Sequence, residues 1–197
     1  MDLFFFIGSL YSYFGVMRAE GEAARRGVSV RWRPFNLRAI MVEQDNIPRK
    51  NPVKMRYLWR DVERRARRYG LPFKAALPYP VDPDGLANRV AALAAMEGWC
   101  ASYAQATYRA WFGEHKAPGE RAQLMALLRE LGRDADAIVA RAESPEIRQR
   151  FDAETDAARA LGIFGAPSFV VAGELFWGDD RLEDALDWAS ANAGSKA

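Results

Sequence analysis

The sequence has one cysteine, Cys100, and one histidine, His115, in 197 residues. A single cysteine excludes an intramolecular disulfide and a cysteine-based structural metal site. It fits a reducing compartment, so a cytoplasmic location is expected and no metal site is. Long apolar runs are also missing. Nothing approaches the roughly 18 residues that a membrane-spanning helix needs. The apolar N-terminus begins at Asp2, has no basic flank and is broken by Gly8, Ser9 and Ser12, so it does not suit a cleaved signal. Excess charge of one sign is lacking too. The 28 basic and 26 acidic residues leave +2, which gives no push toward a nucleic-acid partner. What remains is a chain half apolar by composition, long enough for a real core and for one domain, or one domain with a large insertion.

Local pattern orders that chain. "DLFFFIG" (2–8) is short, apolar and closed by glycine, which predicts a buried strand. Residues 10–26 predict a helix with Ser9 as N-cap and Gly27 as stop. "VSVRWRPF" (28–35) alternates as a strand. This is a βαβ unit, which carries a right-handed crossover between parallel strands. Asn51 and Pro52 then open a helix that Gly70 stops. Met55, Leu58, Trp59, Val62, Ala66 and Tyr69 fall on one face of it. A proline-rich loop follows (71–85), then an alanine-dense helical stretch from 86 to about 112, and helices over 119–132, 134–143 and 144–162. After Gly162 come two short strands around Gly173, a hairpin pattern, and a last helix over 179–193 with acidic residues in its first turn. The terminal pieces, 1–38 and 160–197, would share one mixed sheet, with 39–159 as a helical insertion. The expected class is α/β, β-α-β … β-β-α.

Two short stretches carry the functional signal. "SLYS" (9–12) follows the first strand at the start of a helix. "IFGAPSFVVAGELFWGDDRL" (163–182) places Ala166-Pro167 just before a strand, where proline is tolerated. A cis bond there would turn the Ala166 N–H and C=O outward, to pair with an extended peptide as an added strand.

The order of elements and these two motifs resemble the thioredoxin-fold group that includes DsbA-type oxidoreductases, with Ser9 and Ser12 where Cys-x-x-Cys would stand. More narrowly, the chain resembles the 2-hydroxychromene-2-carboxylate isomerases and the kappa-class glutathione transferases. In that group the N-terminal motif is Phe-x-Ser-Pro-x-Ser-Tyr, and its first serine matches Ser9. The C-terminal motif runs Phe-Gly-Val-Pro-Thr, then Trp-Gly-x-Asp-Arg-Leu. Here Phe164-Gly165-Ala166-Pro167-Ser168 and Trp177-Gly178-Asp179-Asp180-Arg181-Leu182 stand in its place. Leu10 replaces the group's proline, and Ala166 its valine.

The resemblance implies a thioredoxin-like fold and glutathione as cofactor. Its cysteine segment would pair with the backbone at Ala166, before a cis Pro167, and its γ-glutamyl end would meet Asp179 and Asp180, with Trp177 and Gly178 shaping that wall. The residues suit this: N–H groups at a helix start take a carboxylate, and an Asp takes an ammonium. They suit plain helix capping as well. Ser9 would activate the glutathione thiol, because a hydroxyl and a helix N-terminus both favour thiolate. For an isomerase, the substrate is a small aromatic carboxylate. Arg49, Lys50 and Lys54 are candidates for its charge, and Tyr79 and Asn88 for its surroundings. A homodimer is compatible with the resemblance. The rival readings are a kappa-type transferase that consumes glutathione and a binding protein of this fold without turnover.

Other features have plainer explanations. His115 lies in "GEHKAPGE", an exposed turn. Arg56, Arg60, Arg64, Arg65, Arg67 and Arg68 crowd one helix, but Asp61 and Glu63 are interleaved, as on a solvated face. Cys100, between Trp99 and Tyr103, has the setting of helix core.

Overall fold

The computed structural model describes residues 1–194. Its centre is a four-stranded sheet in the order β2-β1-β3-β4. Strand β1 (Asp2–Phe5) runs parallel to β2 (Arg31–Pro34) and antiparallel to β3 (Ser168–Val171), which pairs antiparallel with β4 (Glu174–Trp177). Both faces of β1 are covered, which is why its sequence is apolar without alternation. Leu3, Phe5 and Ile7 enter one core cluster, while Phe4 and Phe6 enter another with Phe35, Ile40, Ile163 and Ala166. The β3–β4 turn has Ala172 and Gly173 at φ 51° and 87°, the positive angles of a tight hairpin.

Helix α1 (Ser12–Arg25) joins β1 to β2, and α9 (Leu182–Gly194) ends the described chain. Between β2 and β3 lie α2 (Leu37–Glu43), α3 (Pro52–Tyr69), α4 (Leu86–Met96), α5 (Cys100–Glu114), α6 (Arg121–Glu130), α7 (Ala135–Ala142) and α8 (Pro145–Ala160). The caps behave as their chemistry dictates. Asn51 accepts from the Lys54 amide at 3.0 Å, Asp134 from Ala137 at 3.0 Å and Ser144 from Ile147 at 3.4 Å. Gly70 closes α3 at φ 64°, in the left-handed region that glycine enters without cost.

Several expected boundaries move, each for a local reason. The first strand stops pairing at Phe5 instead of continuing to Gly8, because the next carbonyls are taken by side chains. Helix α1 starts at Ser12, with Tyr11 rather than Ser9 at the N-cap, although Ser9 Oγ still accepts from the Ser12 amide at 3.2 Å. The strand expected over 28–35 pairs only at Arg31–Pro34. The helical stretch from 86 divides into α4 and α5, since Gly98 sits at φ 79° and cannot continue a helix. Helix α2 was not anticipated; Asn36 caps it through the Ala39 amide at 3.2 Å. The last helix is preceded by a 3-10 turn at Asp179–Arg181.

Candidate active site

The two motifs meet, although 157 positions separate them. Ser9 Oγ donates to the Ala166 carbonyl at 2.8 Å and accepts from the Ser12 amide at the start of α1. The Ala166–Pro167 bond is cis. Gly15, one turn into α1, allows this approach, because a Cβ there would lie 3.0 Å from Pro167 Cβ. The Pro167 carbonyl accepts from the Gly178 amide at 3.0 Å, and Ser168 Oγ donates to the Gly165 carbonyl at 2.9 Å. The bend around Ala166 is therefore held by backbone on one side and by Ser9 on the other. Ser12 Oγ is buried and has no hydrogen-bond partner among the described residues.

Trp177 forms the wall beyond this bend. It is 52% exposed, packs its ring against Phe164 with centroids 4.8 Å apart, and lies across Gly165 so closely that a Cβ there would be 2.1 Å from indole Nε1. Glycine at 165 is therefore a matter of space.

The two aspartates of the C-terminal motif have different roles. Asp180 is exposed and sits 3.4 Å from the Arg181 guanidinium. Asp179 is 1% exposed and pairs with Arg65 at 2.6 Å. Burial pushes its carboxyl up to about 7, and Arg65 opposes but does not cancel that rise. Arg65 also lies over the rings of Tyr11 and Phe14, 5.5 Å from each centroid. Arg18, on α1, pairs with Glu183 and reaches the Asp179 carbonyl at 3.5 Å. The Gly178 amide is already used by Pro167, so it is not free for a carboxylate.

Arg65 corrects the expectation of a uniformly solvated arginine face. It lies within the spacing Leu58, Val62, Arg65, Tyr69, on the side that meets Tyr11, Phe14 and Asp179. That 4-3-4 spacing was the available signal. The neighbouring Arg60 and Arg64 stay exposed and pair with Glu63 and Asp61.

The remaining candidates scatter more widely. Tyr79 donates its hydroxyl to the Gly8 carbonyl at 2.9 Å. Asn88 is fully buried: its carboxamide donates to the Ile7 carbonyl at 2.8 Å and accepts from the Ile7 amide at 2.8 Å, and it also bonds Asp82 at 2.8 Å. Its polar groups are thus committed within the protein. Lys54 is exposed in the first turn of α3, and Lys50 pairs with Asp45. The side chain of Arg49 lies outside what the structure describes. His115 ends α5 at φ 66°, with Nε2 3.1 Å from the Ala76 carbonyl. Cys100 is buried in the helical core, where burial holds its thiol protonated.

Residues 1–187 match the DSBA-like thioredoxin domain. The chain belongs to that family. Within it, the chain is 29% identical to the 2-hydroxychromene-2-carboxylate isomerase of Pseudomonas putida, over 92% of this chain and 90% of that one. It is 25% identical to glutathione S-transferase kappa 2 of Caenorhabditis elegans, over 95% of this chain and 90% of that protein. A solved structure of a 2-hydroxychromene-2-carboxylate isomerase superposes with TM-score 0.86 at 26% identity, covering all of this chain and 98% of the other. This DSBA-like domain carries serine at both ends of Ser9–Ser12, so it holds no thiol pair of its own there. No described helix is long and apolar enough to cross a membrane.

Proposed function

We propose that the protein is a glutathione-dependent isomerase of the 2-hydroxychromene-2-carboxylate type, converting a cyclic hemiketal carboxylate to a trans-hydroxybenzylidenepyruvate. The observation that carries this reading is the contact between Ser9 Oγ and the Ala166 carbonyl at the start of α1. It puts a hydroxyl, a helix N-terminus and a strand-like backbone edge in one place, and no cysteine among them. In this reading the thiol comes with the ligand. The likeness to isomerases, 29% identity along nearly the whole chain, points the same way.

The residues present fit glutathione. A peptide N–H paired with the Ala166 carbonyl would displace the Ser9 hydroxyl from it, leaving that hydroxyl free to donate to sulfur. Pro167 supports the bend from below. Trp177 and Gly178 bound the γ-glutamyl end, and Asp180 is the carboxylate open to its α-ammonium. Asp179 contributes from beneath, by holding the turn through Arg65 rather than by reaching the ligand. When bound, glutathione supplies a thiolate that adds to an activated alkene and leaves again after rotation about the resulting single bond, so it is not consumed. Ser9 activates sulfur in that scheme; it is not itself the nucleophile, because no base lies beside it.

The substrate carboxylate meets Lys54, with Arg49 and Lys50 in the preceding turn. Tyr79 borders the substrate side, while Asn88 acts through the Ile7 backbone. The setting is the cytoplasm, where glutathione is kept reduced. The similarity to a kappa transferase supports a second reading, conjugation of glutathione to an electrophile.

Purified protein incubated with 2-hydroxychromene-2-carboxylate and glutathione separates these. Interconversion with glutathione conserved is the expected result. Loss of glutathione with an electrophile would establish the transferase instead. Absence of glutathione binding by calorimetry would remove both and leave a binding protein.

A further inference from the structure

The loop that delivers Ser9 is held almost entirely from outside its own sheet. From Phe6 to Ser9, every backbone carbonyl accepts from a side chain of the helical block. Tyr108 Oη reaches the Phe6 carbonyl at 2.8 Å and the Ser9 carbonyl at 3.2 Å. Asn88 Nδ2 reaches Ile7, and Tyr79 Oη reaches Gly8. A hydroxyl proton can serve only one carbonyl at a time, so Tyr108 is shared between two. The Phe6 carbonyl also receives the Ser9 amide at 2.9 Å.

The donors have little freedom of their own. Tyr108 is 0% exposed, and its ring stacks near those of Tyr13, Trp111 and Phe112 at 5.8, 5.6 and 6.1 Å between centroids. The Asn88 carboxamide is oriented by Asp82, which is 1% exposed and accepts from the Ala87 amide, the Asn88 amide and Asn88 Nδ2. Reversing that carboxamide would set its oxygen against both the Ile7 carbonyl and the Asp82 carboxylate, an arrangement of acceptors with no proton between them. Asp82 thus decides which way Asn88 faces, and Asn88 decides where Ile7 sits.

We propose that Tyr108, Asn88 and Tyr79, with Asp82 behind Asn88, are positioning residues that hold Ser9 Oγ on the axis of α1, within reach of the Ser12 amide. None of them touches a reacting atom. Their work is to keep the Ser9 side chain in the field of the helix start, where an anion on a neighbouring or substituted sulfur is favoured. The helical block is then part of the catalytic geometry and more than a cover for substrate. This inference rests on the reading of Ser9 as the partner of a thiolate, but its test does not require glutathione.

The test uses Ser9→Cys as a reporter. Cys100 is buried and protonated, so alkylation by iodoacetamide reads position 9 alone. Tyr108→Phe in that background should slow alkylation at neutral pH about threefold or more and raise the apparent thiol pKa, as the loop slips from the α1 terminus. Tyr79→Phe should do the same to a smaller degree. If Tyr108→Phe does not fold, as judged by circular dichroism, Tyr79→Phe and Asp82→Asn carry the comparison. Folded variants that keep the parent's thiol pKa and alkylation rate would overturn the inference. If instead the thiol responds as expected while the unsubstituted protein binds no glutathione, the positioning role stands and the glutathione reading falls.

Discussion

The two halves of the candidate site are built in opposite ways. The Phe6–Ser9 half is tied down by side chains from two distant helices and the loop before them, its carbonyls satisfied by Tyr108, Asn88 and Tyr79. The Gly165–Asp180 half is tied largely from within, by the Gly178 amide to Pro167 and the Ser168 hydroxyl to Gly165, and shows solvent an indole and a carboxylate. The difference separates tasks. The first half has each of its carbonyls from Phe6 to Ser9 engaged by a side chain, so it fixes one hydroxyl. The second leaves Trp177 and Asp180 exposed, so it can meet a ligand over a wide surface. Arg65 links them, since it reaches Asp179 from α3 and lies against Tyr11 and Phe14 just beyond Ser9.

The largest break is in the first half. Ser9→Ala should lower kcat about a hundredfold or more while costing only about 1–2 kcal/mol of stability for its two lost hydrogen bonds, because it opens no core. Equal turnover by the two proteins would show that the fixed hydroxyl has no chemical task. The link comes next. Arg65→Met should cost about 2–3 kcal/mol of folding stability at pH 8, where Asp179 is ionised and would be left buried without a partner. The sign follows from a carboxyl raised above its unfolded value to about 7. In the parent, its contribution to stability falls as pH rises from about 4 through 7. In the variant the carboxyl rises further, so the cost of losing Arg65 appears above pH 7 and shrinks by pH 5.5. Urea denaturation at both pH values checks this; an equal cost at each would mean that Asp179 is not the group involved. The smallest effect lies in the second half. Gly165→Ala must push Trp177 aside, since the added Cβ would stand 2.1 Å from indole Nε1. We expect glutathione binding, followed by calorimetry, to weaken about tenfold, the scale of one displaced aromatic contact. Unchanged affinity would place the ligand away from Trp177 and erase the contrast between the halves.

Much of this was legible from short-range pattern. The order of strands and helices and the span Pro52–Tyr69 with its Asn51 and Gly70 ends follow from periodicity and caps, while the convergence of Ser9 with Ala166-Pro167 was expected from the family resemblance that the two motifs carry. Other features were hidden because they are pairings between remote residues. Nothing near Arg65 announces Asp179, which is 114 positions away, and Tyr108 looks like one more aromatic in an apolar helix until Phe6 and Ser9 are beside it. Asn88 is a substrate-side candidate through the family resemblance, but its carboxamide faces the Ile7 backbone.

The sequence by itself determined that this chain has no thiol pair at its first helix, carries a thioredoxin-type order of elements, and sets a proline just before its third strand. Those are properties of residue type and spacing. Only the tertiary structure decided which aspartate is exposed, which arginine turns inward and which aromatic hydroxyls hold the Ser9 loop. Hydrogen bonds and ion pairs act over a few ångströms, and the chain brings those partners within that range only when the helical block folds against the sheet.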